Sequence, residues 1–454
     1  MINDTIVAPV TSFATQAISV IRLSGPNSYE IINKVLDQSL NKSSFKVYLR
    51  KIMNKKQVVD EVLLSCFTSP KSFTGEDVIE INCHGGILIT KEIIQLLIEH
   101  GARLALNGEY SQRAFLNGKI NLIEAEAINN LIHATNSNAK KLAQKNLFKK
   151  SSSKISQLKD NLLDIVANIE VNIDYPEYDG VGDITTEDLK DKLFDINKEL
   201  QETIFYSKIG KQLNEGINVL ILGQPNVGKS SLLNALANED RAIVSDIAGT
   251  TRDIIETKIN LDDISLNIID TAGIRKTKNK IETLGIEKAK NEIGKADLVL
   301  YVLDGTKKLS KKDLEILELV KVNDKKLILV VNKEDLAINK DLEQTIKDLK
   351  ESYLKISAKN QKIKSLVDKI KEIFLNEELF KDNTTVLVDI NQIAKLEQCH
   401  LFIKQALENV DNNMPPDIIN IDLNNAWSLL QEILGNINEE SLLDEMFRKY
   451  CLGK

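Results

Sequence analysis

Cysteine is scarce in this chain. Cys66, Cys83, Cys399 and Cys451 are the 4 in 454 residues, and none forms a Cys-x-x-Cys pair. That excludes a disulfide framework and a cysteine-type zinc site, and the adjacent Cys83-His84 cannot close a metal site alone. No apolar run approaches the roughly 20 residues of a membrane-spanning helix. Met1-Ile2-Asn3-Asp4 lacks a basic region followed by an apolar one, so the expectation is a cytoplasmic protein without a membrane. Positive charge is not in surplus: the net charge of -7 gives no global attraction to nucleic acid, and any RNA contact must come from a local basic patch or from a partner. Fixed-period repeats and low-complexity tracts are absent as well.

What is present is ordinary globular composition, 43% hydrophobic and 28% charged, in a chain long enough for about three domains. The most informative stretch begins with the apolar, β-rich Asn218-Val219-Leu220-Ile221-Leu222. Gly223-Gln224-Pro225-Asn226-Val227-Gly228-Lys229-Ser230 follows at once, then the helix-like Ser231-Leu232-Leu233-Asn234-Ala235-Leu236. Strand, glycine-rich loop and helix in this order make a phosphate site. Gly223 and Gly228 let the backbone N–H groups converge, and the positive end of the helix adds attraction. Lys229 supplies a point charge to the β- and γ-phosphates and Ser230 a hydroxyl to magnesium.

Three further stretches select guanine and a switch mechanism. A strand through Leu266, Ile268 and Ile269 ends in Asp270-Thr271-Ala272-Gly273, where Asp270 can hold the magnesium shell and the Gly273 N–H can meet the γ-phosphate. A strand from Leu327 to Val331 ends in Asn332-Lys333-Glu334-Asp335, and the Asp335 carboxylate can accept from the N1–H and exocyclic amine of guanine. Ser357-Ala358-Lys359 then closes over the base. Between the loop and Asp270 lies Ser245-Asp246-Ile247-Ala248-Gly249-Thr250-Thr251-Arg252-Asp253, a switch in which Thr251 ligates magnesium only while the γ-phosphate is present. The nucleotide contacts are thus assigned to 226–231 (with Val227 and Ser231 in the loop and helix start), 245–251, 270–273, Asn332, Lys333, Asp335 and 357–359. Position 274 is Ile274 rather than the water-orienting glutamine of Ras-like switches. Glu282 is the candidate acid for hydrolysis, and Arg252 and Arg275 are candidate fingers.

The flanks differ in texture. To about Gly118 the chain reads as mixed α and β. Strands are expected at Ile18 to Ile21, at Val58 to Phe67 and at Val78 to Cys83, with a helix through Tyr29, Ile32, Val35 and Leu36. The alternation in Val78–Cys83 puts Val78, Glu80 and Asn82 on one face. Helical spacing follows through Ile155, Leu158, Leu162, Ile165 and Ile169, and through Leu189, Leu193, Ile196, Leu200 and Ile204. It returns after the nucleotide segment through Ile393, Leu396, His400, Ile403 and Leu407, then Leu423, Ala426, Leu430 and Ile433. Amphipathic helices on both sides of the nucleotide segment imply one helical domain with the nucleotide domain inserted in it.

With these motifs in place, from Asp4-Thr5-Ile6-Val7-Ala8 through Ser72-Phe73-Thr74-Gly75-Glu76-Asp77 to Cys451-Leu452-Gly453-Lys454, the chain resembles the MnmE (TrmE) family of bacterial tRNA-modifying GTPases. The resemblance implies a multidomain α/β plus α protein. An N-terminal α+β tetrahydrofolate-binding and dimerisation domain would take 1–118, a discontinuous helical domain 119–215 and 377–454, and an inserted Ras-like P-loop GTPase domain 216–376. It implies a homodimer that acts with the FAD protein MnmG, two copies of each, on carbon 5 of the wobble uridine of certain tRNAs, using 5-formyl-tetrahydrofolate or a related one-carbon folate. The folate contacts implied are Arg22, Glu80, Lys119 and Lys454. Potassium would be held by Asn226, Ser245, Ile247 and Thr250, and magnesium by Ser230 and Thr251. Glu282 and Lys229 would serve catalysis of hydrolysis, and Cys451 the modification. The segment Thr11-Ser12-Phe13-Ala14-Thr15-Gln16-Ala17 departs from the Gly-rich stretch that family members carry there. Two other readings compete. A ribosome-assembly or RNA-checking GTPase would carry a basic RNA-binding domain after the GTPase domain, where this chain has helices. A folate-binding regulator without hydrolysis is opposed by Asn226, Thr250, Thr251 and Glu282.

Overall fold

Alternating apolar residues in the first hundred positions demand a sheet with one covered face, and the computed structural model supplies it. The structure describes residues 4–174, 186–238, 242–246, 257–269, 291–323, 325–348 and 352–435. The first sheet is built from β1 (Ile6–Pro9), β2 (Ile18–Ser24), β3 (Lys46–Asn54), β4 (Gln57–Phe67), β5 (Val78–His84) and the short β6 (Arg103–Leu104), in the order β3-β4-β5-β2-β1-β6. Between them lie α1 (Ser28–Asn33) and α2 (Ile87–Glu99), and α3 (Glu109–Leu116) and α4 (Leu122–His133) follow. Ile21, Leu23, Ile79, Ile81 and Cys83 point into a core closed by Ile93 and Leu97 of α2. The expected helix through Leu36 is shorter. Lys34 and Val35 donate to Ile31 and Ile32 three residues back, and Leu36 then bridges to Ile52 of β3, so sheet pairing overrides the helical period.

A buried cation secures this sheet. Arg113 of α3 is 1% exposed and meets Asp4 at 2.6 Å, Glu109 at 2.9 Å and Glu76 at 3.1 Å. Burial would raise the Glu109 carboxyl, but bonds from Arg103, the Leu106 N–H and Arg113 outweigh it and hold the group below its usual range. A lowered folded-state pKa stabilises the fold above the unfolded carboxylate value and is lost as pH falls through the folded one. Arg113→Met is therefore expected to destabilise this unit by about 1.5–3 kcal/mol, the scale of hydrogen bonds to charged groups, because Asp4, Glu76 and Glu109 lose their shared cation while Glu109 keeps Arg103 and the Leu106 N–H. Hydrogen exchange of the β1 and α3 amides reads that loss. The same variant is expected to show a flatter fall of stability below about pH 4, where carboxylates protonate.

The remaining elements are α5 (Ser137–Leu147), α6 (Lys150–Asp174), α7 (Thr186–Glu215), β7 (Ile217–Leu222), α8 (Lys229–Ala237), β8 (Ala242–Asp246), β9 (Thr257–Leu261), β10 (Ile264–Ile269) and β11 (Leu298–Asp304). They continue with α9 (Lys311–Val322), β12 (Lys326–Asn332), α10 (Lys340–Asp348), β13 (Tyr353–Lys355), α11 (Lys364–Phe374), α12 (Ile390–Asp411) and α13 (Pro416–Leu434). Two units emerge, one from Met1–Asn129, Leu147–Lys190 and Leu401–Lys454, the other from Asn130–Asn146 and Asp191–His400. In the first, α6 and α13 pack on each other, burying Ile155, Leu158, Leu162, Ile165 and Ile169 on one helix and Leu423, Ala426, Leu430 and Ile433 on the other. In the second, a sheet of order β13-β12-β11-β7-β10-β9-β8 is parallel from β13 to β10 and antiparallel beyond. β11 is buried at every position, as a strand covered on both faces must be. The segment before α5 is bonded to the β9–β10 turn, with Ser137 N–H donating to Asp262 O at 2.8 Å and Asn136 Nδ2 to Ser265 Oγ at 3.0 Å.

On α12 the covered stripe runs Ile393, Leu396, Cys399, Ile403, Ala406 and Val410. His400 lies beside it, half-buried, with its ring Nε2 3.2 Å from Gln201 Nε2. Burial pushes the Cys399 thiol up to about 12 and raises Cys66 and Cys83 too, so these three thiols, none in a disulfide, are poor nucleophiles near neutral pH.

Candidate nucleotide and ligand sites

The candidate nucleotide site lies where parallel strands end and helices begin, the crevice this sheet type offers to ligands. β7 stops at Leu222, and the loop turns at Gly223 (φ +142°), Asn226 (φ +65°) and Gly228 (φ +100°) before α8 starts at Lys229. A Cβ at Gly223 would lie 2.2 Å from Val302 O of β11, and one at Gly228 would lie 2.2 Å from Asn332 Nδ2. Both positions thus require glycine for conformation and for room. Lys229 folds over its own loop, its Nζ donating to Gly223 O at 2.6 Å and Gln224 O at 2.8 Å. Ser230 and Ser231 occupy the first turn of α8, where orphan backbone N–H groups and the helix dipole favour an anion.

β11 and β12 run in register, Asp304 opposite Asn332, and bring the base-side residues to the same edge. Asn332 is buried, donates through Nδ2 to Val227 O at 2.8 Å and accepts at Oδ1 from Ala358 N–H at 3.0 Å. One side chain therefore joins the phosphate loop to the Ser357-Ala358-Lys359 loop. Lys333 (φ +68°) donates to Asp304 Oδ2 at 2.6 Å. Burial would raise the Asp304 carboxyl, but Lys333 and the Thr306 hydroxyl and N–H hold it lowered and charged. Asp335 is exposed, and its Oδ1 accepts from the buried Ser357 hydroxyl at 2.6 Å. That bond, first of its causes, lowers the Asp335 carboxyl further and keeps it an ionised acceptor. Neither Asp304 nor the bridging role of Asn332 stood out in the sequence, because both depend on strand register.

Ser245 and Asp246 close β8, paired as backbone with Lys258 and Thr257. Ile247, Ala248, Gly249, Thr250, Thr251, Arg252, Asp270, Thr271, Ala272, Gly273, Arg275, Glu282, Cys451 and Lys454 lie outside the described residues. The oxygen donors suited to a hard cation near the phosphates are thus represented among the described residues by the Ser230 hydroxyl and the side-chain oxygen of Asn226.

In the N-terminal sheet, register pairs Arg22 with Glu80, and the Arg22 guanidinium donates to Glu80 Oε1 at 2.7 and 3.0 Å. Phe73 and Tyr110 place their ring centroids 5.9 and 5.5 Å from it, within cation–π range. Tyr110 also donates to Arg22 O at 2.7 Å. Lys119 is directed elsewhere, its Nζ donating to Pro70 O at 2.9 Å on the loop that carries Phe73. Aromatic faces beside a largely buried Arg–carboxylate pair fit a flat heterocycle bearing amines and an anionic tail. No sequence signal pointed to Tyr110. His84 Nδ1 lies 2.6 Å from Asp60 Oδ1, and among the described residues no group of three or more His, Cys, Asp or Glu side chains is arranged to hold a metal ion. No described helix is long and apolar enough to cross a membrane.

Residues 5–119 match the family model "GTP-binding protein TrmE N-terminus", and residues 122–451 match "MnmE helical domain". Proteins named tRNA modification GTPase MnmE are similar over the whole length. That of Mycoplasma mycoides subsp. mycoides SC is 49% identical over 454 residues, covering 100% of each chain. That of Mesoplasma florum is 47% identical, covering 100% of this chain and 99% of its own, and that of Geobacillus thermodenitrificans is 40% identical, covering 99% of each. Among solved structures, a point variant of Aquifex aeolicus Era bound to GDP and aluminium fluoride is 28% identical with a TM-score of 0.28, covering 41% of this chain and 66% of its own. Full-length identity of this size, with both family models matched in order, places the chain in the MnmE (TrmE) family of tRNA modification GTPases.

Proposed function

We propose that this protein hydrolyses GTP to GDP in a potassium-dependent cycle that dimerises its nucleotide domains. With MnmG in an assembly of two copies of each, the cycle governs conversion of carbon 5 of the wobble uridine in certain tRNAs to an aminomethyl or carboxymethylaminomethyl group, with a one-carbon tetrahydrofolate. The domains are 1–118, 119–215 with 377–454, and 216–376. The observation that carries the reading is Asn332, which ties a phosphate loop to the loop beside Asp335: phosphate site and guanine acceptor are held as one unit.

Each residue then has a task. Lys229 sets a positive charge over the β- and γ-phosphates, and the N–H groups of Val227, Gly228 and Ser231 add dipoles. Asp335, held ionised by Ser357, accepts from guanine, while Asn332, Lys333, Ala358 and Lys359 fix the base. Ser230 and Thr251 would hold magnesium, and Asn226, Ser245, Ile247 and Thr250 would hold potassium. When bound, these ions supply positive charge where the transition state becomes more negative. Asp246, Ala248 and Gly249 with Asp270, Thr271, Ala272 and Gly273 form the two segments that sense the γ-phosphate, and Glu282 orients the attacking water. In the N-terminal domain, Glu80 accepts from the amine edge of a pterin while Arg22 and Lys119 take anionic parts of the ligand, joined by Lys454. Cys451 serves the modification.

The test is reconstitution. Purified protein, MnmG with its FAD, unmodified tRNA, GTP, magnesium and potassium ions, a one-carbon folate and an amine source (ammonium for the aminomethyl group, glycine for the carboxymethylaminomethyl group) are combined under reducing conditions, and tRNA nucleosides are analysed by mass spectrometry. The modified wobble uridine is expected with GTP and absent when GTP or this protein is left out. Modification that proceeds equally with a non-hydrolysable GTP analogue would contradict the hydrolytic cycle.

A further inference from the structure

The corner where β11 leads into α9 carries Lys307, Lys308, Lys311 and Lys312, four lysines in six residues. They line a cleft of about 520 Å³ together with Gln224 and Pro225 of the phosphate loop and Leu342 of α10. Two of the acids beside them are turned inward. Asp304, 3% exposed, is held by Lys333 at 2.6 Å. Asp313, also buried, accepts from Tyr301 Oη at 2.6 Å and from the Ser310 hydroxyl at 2.7 Å. The lysines point outward: the side chains of Lys307 and Lys308 are 68% and 71% exposed. Lys307 stands 3.8 Å from Asp304, and Lys308 pairs with the exposed Asp341 at 2.5 Å. An exposed pair of that kind contributes little to stability, so a phosphate can displace Asp341 at little cost.

Ammonium groups spread along a loop and a first helical turn suit successive phosphates better than a single anion. No Phe, Tyr or Trp lies in 302–322 on which a base could stack, and lysine lacks the fork with which arginine reads guanine. The chemistry is that of backbone contact, which positions a nucleic acid without reading it. A chain of net charge -7 holds RNA either through a local basic patch of this kind or through a partner. We propose that this lysine corner is a docking site for the phosphate backbone of tRNA, independent of base sequence. The assignment rests on tRNA being the macromolecule this protein acts on. It also sets the RNA close to the nucleotide: Gln224 Nε2 donates to Ser310 Oγ at 3.3 Å, and the Gln224 carbonyl accepts from Lys229 Nζ at 2.8 Å.

The test measures tRNA affinity of the full-length protein between about 50 and 200 mM salt, where counterion release dominates binding. It compares wild type, K307Q/K308Q/K311Q/K312Q, and a control with the same charge change on the β3–β4 hairpin, K46Q/K51Q/K55Q/K56Q. The corner variant is expected to bind about tenfold or more weakly near 0.1 M salt and to flatten the log–log salt slope by about 3, roughly 0.7 to 0.9 per lost phosphate contact. The control is expected to keep the wild-type slope, and GTP hydrolysis without tRNA is expected to be unchanged in both. An unchanged slope in the corner variant, or equal weakening in the control, overturns the docking site and leaves the tRNA reading standing. Wild type that binds no tRNA at the lowest salt also overturns the docking site and assigns RNA contact to a partner, whereas failure of the tRNA reading itself shows as absence of the modified uridine in the reconstitution.

Discussion

Asp335→Asn is expected to move the nucleotide preference from GTP to XTP, changing the ratio of their kcat/KM values by about ten-thousandfold, the scale at which a polar site rejects a base that cannot pair with it. The argument starts from charge. Asp335 accepts the Ser357 hydroxyl at 2.6 Å, and its pKa is held down first by that bond, so at neutral pH it meets a base as an acceptor. Guanine offers an N1–H and an amine, whereas xanthine has an oxygen where the amine was and repels a carboxylate. An asparagine amide donates to that oxygen and leaves the guanine amine facing a donor. Steady-state hydrolysis of the two nucleotides by wild type and variant measures the swap. Retained GTP preference in the variant would mean that Asp335 does not contact the base.

Lys229→Ala is expected to lower kcat for GTP by about 10² to 10³, the usual cost of removing one preorganised charge from a transition state, with the fold intact. The reason is local. Lys229 begins α8 and its Nζ already bonds Gly223 O and Gln224 O, so the ammonium is held over the loop before nucleotide arrives and little reorganisation is left for the reaction. Lys229→Arg is expected to restore less than a tenth of the lost rate, since a planar fork cannot take the place of a compact ammonium. Single-turnover hydrolysis at saturating GTP separates this effect from weaker binding. A full rate in the alanine variant would remove Lys229 from the mechanism.

Local chemistry makes the candidate nucleotide site readable from the sequence as an expectation. Gly223, Gly228, Lys229 and Asp335 could be placed in the sequence because a phosphate loop and a guanine acceptor each need particular residues within a few positions. The strands β2, β4 and β5 were legible for a related reason, a period of two with one covered face. Contacts between distant positions could not be read. Asn332 to Val227 spans 105 residues and Arg113 to Asp4 spans 109, and both arise from strand register and helix docking. Glu80 shows the boundary well. Alternation put it on the half-exposed face, but only the β2–β5 register reveals that its partner is Arg22. The helix expected through Leu36 failed where a strand neighbour, Ile52, competed for the same residue. On α12 the spacing through His400 and Leu407 was helical yet offset, since Cys399 and Ala406 are the residues covered.

The most direct test of the proposed cycle is the rate of GTP hydrolysis in potassium against sodium at matched ionic strength, for wild type and Glu282→Ala. A large potassium-specific stimulation of the wild type that disappears in the variant is the predicted result. Equal rates in the two salts would contradict the cation-assisted mechanism and return the role of charge stabiliser to Arg252 and Arg275.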